Sequence, residues 1–129
     1  MKNIVIWKFR NINTLNNKVI HSLFHAVVGI IHAFKRQRNL KLMLIAAVPA
    51  LLSIFLFHLT FLEAIVIIYA ICSVFITELI NTSLELVVDL VTREKRLKAM
   101  LAKDVAASAT LIAVLQSIVI ALIIIFRHI

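Results

Sequence analysis

The sequence has almost no glycine, proline or cysteine. Gly29, Pro49 and Cys72 are the single members of their types in 129 residues. One glycine is too few for either Gly-rich phosphate-binding loop, so a bound nucleotide would have to be held by metal ions and by Lys or Arg side chains. A single cysteine excludes a disulfide within the chain, and the apolar run around it predicts an ordinary buried thiol.

Acidic residues are also scarce. Six Asp and Glu against 14 Lys and Arg give a formal net charge of +8. In a chain that is 63% hydrophobic, this balance indicates a small integral membrane protein of one domain, whose basic residues face anionic lipid. No nucleic-acid-binding motif accompanies the basic residues, so no nucleic-acid partner is expected.

The hydrophobic runs predict an all-α membrane protein with an amphipathic surface helix followed by three transmembrane helices. Apolar residues recur at steps of three and four before the first long run, as in a helix that lies in the membrane surface. Each later run is long enough to cross a hydrocarbon core of about 30 Å. The predicted segments are an interfacial arm with the surface helix at 1–41, spans at 42–62, 64–90 and 105–126, and a cytoplasmic loop at 91–104.

The basic residues predict the orientation of these spans. Residues 1–41 hold eight Lys or Arg, the loop near 90–104 holds five, and the turn between the first two spans holds none. Because basic loops remain on the cytoplasmic side, the N-terminus and the 90–104 loop are expected in the cytoplasm. The protein is then a multi-pass protein of the inner (plasma) membrane.

Four polar residues interrupt the second span. Glu78, Asn81, Glu85 and Asp89 follow one another at steps of three, four and four, so a helix places them along one face. An ionised carboxylate at mid-bilayer costs roughly 2.5 to 3.5 kcal/mol, so this face must turn toward protein, water or a cation. A solvated continuation of the helix beyond the membrane is the alternative. We call these four residues the acidic stripe.

A lysine and an aspartate stand where the charged loop enters the third span. Taken alone, Lys103 is compatible with a basic residue that anchors the end of a span at the membrane surface, and Asp104 with an acid that stabilises a helix N-terminus. Together with the acidic stripe they make a set suited to phosphoryl transfer, with a base for an alcohol and a lysine that stabilises phosphate charge. A base partly sunk in the bilayer suits an alcohol that belongs to a lipid.

Two stretches resemble the motifs of the small prokaryotic diacylglycerol kinases, a family that includes the undecaprenol kinases of Gram-positive bacteria. They are ELINTSLELVVD at 78–89 and AKDVAASA at 102–109, and the resemblance extends over about residues 15–126. It implies a homotrimer with active sites shared between subunits. It also implies transfer of the γ-phosphate of ATP to a lipid alcohol, undecaprenol or diacylglycerol, with Mg²⁺ as cofactor.

The resemblance also implies roles for individual residues. Glu78 corresponds to the general base at the lipid hydroxyl, Asn81 to a polar residue that supports it, and Ala107 to a lipid contact. Glu85 corresponds to the metal-binding carboxylate, with Gln37 beside it. The implied nucleotide contacts are Lys18, Glu85, Asp89, Glu94, Lys95, Arg96, Lys103 and Asp104.

One position departs from the family pattern. Gln37, followed by Arg38 and Asn39, stands where the family usually has a metal-binding Glu. A glutamine carbonyl can coordinate Mg²⁺ but brings no charge, so metal affinity is expected to fall. Three functions stay open at this point: a lipid kinase, a non-catalytic membrane protein that retains the fold as an interaction or regulatory subunit, and, more distantly, a small cation transporter.

Overall fold

The fold is entirely helical in the part of the chain that the structure describes. This computed structural model describes residues 15–92, 94 and 96–129, and for residues 15–17 the backbone alone. The helices are α1 (Leu15–Arg36), α2 (Arg38–Leu56), α3 (Phe61–Val91) and α4 (Leu97–His128). The all-α prediction is confirmed, whereas the predicted arm at residues 1–14 lies outside the described residues.

The described residues form two compact units that divide between His32 and Ala33, within α1. The first unit is the amphipathic part of α1. Its apolar side chains are exposed, with Val19 at 61% and Leu23 at 63%. An exposed apolar stripe on a helix is expected where the helix lies on a lipid surface.

The second unit contains three helices that are long and apolar enough to cross a membrane. About 20 residues span the hydrocarbon core, whereas α3 has 31 residues and α4 has 32. Both helices therefore exceed the core by about ten residues, since each residue adds about 1.5 Å. The charged groups at their ends can lie outside the hydrocarbon while the helix remains unbroken.

Helix α3 is the centre of this unit, because both α2 and α4 pack against it. Small residues such as Ala47, Ala70 and Ala113 are buried at these contacts, which lets the helix backbones approach closely. Two apolar cavities of about 390 and 430 Å³ are lined by residues of α2, α3 and α4. Cys72, predicted to be buried, is exposed, because it lies two residues from Ala70 and so on the opposite side of α3.

Helix α2 ends six residues before the predicted end of the first span. Helix α2 ends at Leu56, and α3 begins at Phe61. A capping box starts α3: the Thr60 hydroxyl accepts a hydrogen bond from the Glu63 backbone N–H (3.5 Å), and Glu63 Oε2 accepts one from the Thr60 N–H (2.8 Å). The turn at 57–60 is itself apolar, so hydrophobicity alone does not reveal it.

The predicted cytoplasmic loop is also shorter than expected. Helix α4 begins at Leu97, so residues 97–104 are its first two turns. The charges in this segment predicted a loop because they end the apolar run, but a helix that leaves the hydrocarbon can continue in water. Lys103 and Asp104 are consequently carried by a helix.

A cluster of polar contacts around Glu63 links the start of α3 to the end of α4. Its carboxylate, 9% exposed, lies 3.1 Å from Arg127 Nη1 and 3.3 Å from His128 Nε2. The same carboxylate accepts a hydrogen bond from the Thr60 hydroxyl at 2.7 Å. These contacts tie the start of α3 to the end of α4.

Thr60→Ala is expected to lower the free energy of unfolding in detergent by about 1 kcal/mol, because it removes the side chain that caps α3. A denaturant titration followed by circular dichroism measures the change. Ser83→Ala is the control, since Ser83 is an exposed hydroxyl within the same helix. Equal losses in the two variants would show that the cap contributes nothing specific.

Candidate active site

The acidic stripe lies on one face of α3 and becomes steadily more buried along the helix. Asp89 is exposed and Glu85 is half-buried, whereas Asn81 is 5% exposed and Glu78 is 2% exposed. The spacing of the four residues predicted the shared face. The gradient means that one helix presents a carboxylate to water at one end and a carboxylate to the packed interior three turns away.

Gln37 is brought to the stripe from another part of the chain. Its Nε2 donates a hydrogen bond to Glu85 Oε2 (3.2 Å), and Asn81 Nδ2 donates one to Glu85 Oε1 (3.4 Å). Gln37 precedes α2, and its side chain makes no capping hydrogen bond, which leaves the amide available. The rings of Phe34 and Phe75, 6.0 Å apart, pack the end of α1 against α3.

The side chains around Glu85 are compatible with a Mg²⁺ ion that takes most of its ligands from water and from substrate phosphates. Mg²⁺ prefers oxygen ligands and is often held by one or two carboxylates together with water and substrate phosphates. Glu85 supplies a carboxylate, and the Gln37 amide can present its oxygen by rotation about its last bond. Among the described residues no three His, Cys, Asp or Glu side chains are grouped to hold a metal alone. The set therefore fits an ion that arrives with phosphate.

A short ion pair lies at the exposed end of the stripe. Lys103 Nζ is 2.6 Å from Asp89 Oδ1, with the two side chains 36% and 55% exposed. The pair joins the first turns of α4 to the last turns of α3. Two of the predicted nucleotide contacts are thus brought together across the helices, next to Asp104, which is exposed on α4.

Among the described residues, no hydrogen bond or ion pair joins Glu94, Arg96 or Ala107 to the stripe. Glu94 pairs with Arg96 at 2.9 Å in a local, exposed contact. Ala107 is exposed on α4. Lys18 is exposed in the first unit, and Lys95 lies outside the described residues. The roles of Lys18, Glu94, Lys95, Arg96 and Ala107 stay predictions.

Two buried hydroxyl groups were not predicted from the sequence. Thr82 is 4% exposed and Thr110 is 7% exposed, and neither hydroxyl oxygen has a hydrogen-bond partner among the described residues. The available signal was the spacing of Thr110, which lies four residues after Ala106 and three before Ala113 on the buried face of α4.

One family model matches the part of the chain that contains this site. The family model described as prokaryotic diacylglycerol kinase matches residues 24–125. The chain belongs to the prokaryotic diacylglycerol kinase family. The matched range contains the acidic stripe, Gln37 and Lys103, whereas Lys18 precedes it.

Two relatives extend this kinase comparison. A protein of a Synechocystis strain named diacylglycerol kinase is 35% identical over 100 residues, which cover 77% of this chain and 57% of that protein. A Bacillus subtilis protein named undecaprenol kinase is 35% identical over 108 residues, which cover 84% of this chain and 88% of that protein. The chain therefore spans little more than half of the cyanobacterial relative. Both relatives are named as kinases of lipid alcohols.

Proposed function

We propose that the protein transfers the γ-phosphate of ATP to the hydroxyl group of a membrane lipid alcohol. The burial gradient of the acidic stripe carries this proposal. Glu78, 2% exposed, is a base in the packed apolar interior, at the end of the stripe away from water, from which a lipid hydroxyl would approach. The exposed end of the stripe carries Glu85 and the Asp89–Lys103 pair, where a water-soluble nucleotide can bind.

The nucleotide is held without a Gly-rich loop. Lys103 offers the positive charge for the phosphates, and its ion pair with Asp89 keeps the ammonium group at the end of the stripe. Binding of ATP requires this lysine to exchange part of its contact with Asp89 for contact with phosphate oxygen. A surface pair of this exposure is weak enough for such an exchange.

Glu85 and Gln37 would hold the Mg²⁺ that accompanies ATP. The bound ion supplies neutralisation of the phosphate charge that develops during transfer. Asn81 donates a hydrogen bond to Glu85. This bond orients the Glu85 carboxylate, which lies between Glu78 and the exposed end of the acidic stripe.

Glu78 would act as the general base. It accepts the proton of the lipid hydroxyl while the hydroxyl oxygen forms its bond to the γ-phosphorus. The bond between this phosphorus and the oxygen that bridges to the β-phosphate breaks, and ADP leaves with that oxygen. The products are a phosphorylated lipid, ADP and a protonated Glu78, which then returns its proton to water.

We further propose a homotrimer with shared sites, located in the inner membrane, that uses undecaprenol in preference to diacylglycerol. The lipid preference is supported by the Arg38–Asn39 and 103–107 (KDVAA) patterns, which resemble the Gram-positive branch. The relative named undecaprenol kinase is also the one aligned over 88% of its length. The products would be undecaprenyl phosphate or, from diacylglycerol, phosphatidic acid.

Transfer of label from [γ-³²P]ATP into extractable lipid tests the proposed function. Purified protein in detergent micelles with Mg²⁺ is given undecaprenol and diacylglycerol in separate reactions. We expect labelling of both or of undecaprenol alone, with the higher kcat/KM for undecaprenol. Absence of label in either lipid, with folded protein at saturating Mg²⁺, would favour the non-catalytic alternative.

The orientation is tested by cysteine labelling in cells. In a Cys72→Ala background, Leu97→Cys is expected to react with an impermeant maleimide only after permeabilisation, because the basic loop beside it stays in the cytoplasm. Phe61→Cys is expected to react in intact cells. Both positions are strongly exposed, at 72% and 80%, so accessibility is matched. The reverse pattern would place the acidic stripe on the side without ATP.

A further inference from the structure

Two hydroxyl groups are buried between α3 and α4 without a partner among the described residues, and they are those of Thr82 and Thr110. Other hydroxyls within these helices donate to a backbone carbonyl near the preceding turn: Thr77 to Ser73 O and Val74 O, and Ser117 to Ala113 O. Such local bonds are the usual way in which a helical hydroxyl is satisfied. Buried polar groups rarely stay unbonded, so the hydroxyls of Thr82 and Thr110 are free to bond something else.

The packing of α4 on α3 places these hydroxyls at the level of the base along the helix axes. Two contacts join the helices at known positions, Lys103 to Asp89 and Ser117 to the Ala70 carbonyl. On α4, Thr110 lies seven residues after Lys103 and seven before Ser117. On α3, the position seven residues before Asp89 is 82, and the position seven residues after Ala70 is 77. Because the helices are antiparallel, Thr110 is level with the segment of α3 that carries Glu78 and Thr82.

Glu78 itself lacks a hydrogen-bond donor in the described part of the chain. Its side chain is 2% exposed, and the nearest amide on the stripe, that of Asn81, donates to Glu85 instead. The flanking α4 positions facing this level are Ala106 and Ala113, which have no polar atoms in their side chains. An ionised carboxylate in such surroundings is stabilised only if donors reach it.

We propose that Thr110, together with Thr82, positions the Glu78 carboxylate for proton abstraction through one water molecule: the two hydroxyls donate hydrogen bonds to the water, and the water donates one to the carboxylate. The buried Asn81 Oδ1, which also has no partner among the described residues, supplies a further ligand to that water. A buried water is typically held by two to four polar groups, which these side chains provide. Thr110 is thereby a positioning residue that acts on the base and does not contact the phosphate. This inference rests on the proposed function.

The test is the kcat of lipid labelling in Thr110→Val, which keeps the shape of the side chain and removes the hydroxyl. We expect kcat to fall by roughly two- to tenfold, the range for one lost hydrogen bond between neutral groups. The KM for ATP should not change, because the nucleotide groups lie at the other end of the stripe. Thr110→Ser, which restores a hydroxyl, should recover most of the turnover.

Thr77→Val is the matched control, since it removes a hydroxyl that bonds only the backbone of its own helix. It should leave kcat unchanged. If Thr110→Val does not fold, Thr82→Val with Thr82→Ser gives the same comparison. An active wild type in which the Thr110 and Thr77 variants behave alike would overturn this inference alone, whereas an inactive wild type would overturn the proposed function.

Discussion

Glu78→Gln is expected to reduce turnover by roughly two to four orders of magnitude, the range for loss of a general base. Glutamine has nearly the same shape, so it fits the buried position of Glu78, which is 2% exposed. Its amide cannot take the proton of the lipid hydroxyl. ATP affinity should remain near that of the wild type, since Glu85, Asp89 and Lys103 lie toward the exposed end of α3. Initial rates of lipid labelling across an ATP titration measure both quantities.

Glu63→Gln provides the control for this substitution. Glu63 is also a buried glutamate of α3, at 7% exposure, but it lies at the opposite end, where it contacts Thr60, Arg127 and His128. Its replacement should lower stability while the folded protein keeps its turnover. A Glu78→Gln protein whose turnover lies within tenfold of the wild type would mean that another group accepts the proton.

Gln37→Glu is expected to lower the Mg²⁺ concentration needed for half-maximal transfer by roughly ten- to a hundredfold. The Gln37 amide nitrogen lies 3.2 Å from Glu85 Oε2, so the substitution places a second carboxylate next to the first. Attraction of an added negative charge to a divalent ion is worth on the order of 1 to 3 kcal/mol at an effective dielectric constant near 20, which corresponds to this change in affinity. A Mg²⁺ titration of lipid labelling at fixed ATP measures it.

Without bound metal, Gln37→Glu is expected to lower the stability of the fold. Two carboxylates at this distance repel each other, so the variant should unfold more readily in EDTA than the wild type and regain stability when Mg²⁺ is added. Asn39→Asp is the control, because it adds the same charge two residues away at an exposed position. A Mg²⁺ dependence that is unchanged in Gln37→Glu, or shifted equally in both variants, would remove Gln37 from the metal site.

The helices and the shared face of the acidic stripe were predictable because both depend on local periodicity. Steps of three and four residues place Glu78, Asn81 and Glu85 on one side of any regular helix. Helix ends were less predictable, since hydrophobicity averages over a turn that is itself apolar. The cue that locates the start of α3 is the Thr60 and Glu63 capping box, which depends on two polar residues at the correct spacing.

The contacts of the site depend on packing between distant segments. Gln37 and Glu85 are 48 positions apart, and no periodicity relates them; the resemblance to a family suggested the pair, and the structure gives its hydrogen bond. The Asp89–Lys103 pair requires the antiparallel register of α3 and α4. Thr110 was missed because a hydroxyl in an apolar helix usually bonds its own backbone.

The most direct test of the acidic stripe as the active site compares nucleotide binding and turnover in the same preparations of wild type, Glu78→Gln and Glu85→Gln. Binding of ATP with Mg²⁺ is measured by equilibrium dialysis, and turnover by lipid labelling. We expect Glu78→Gln to bind as the wild type does and to lose turnover, whereas Glu85→Gln should bind more weakly by about ten- to a hundredfold. Wild-type binding and wild-type turnover in both variants would contradict the account, because the stripe would then be structural.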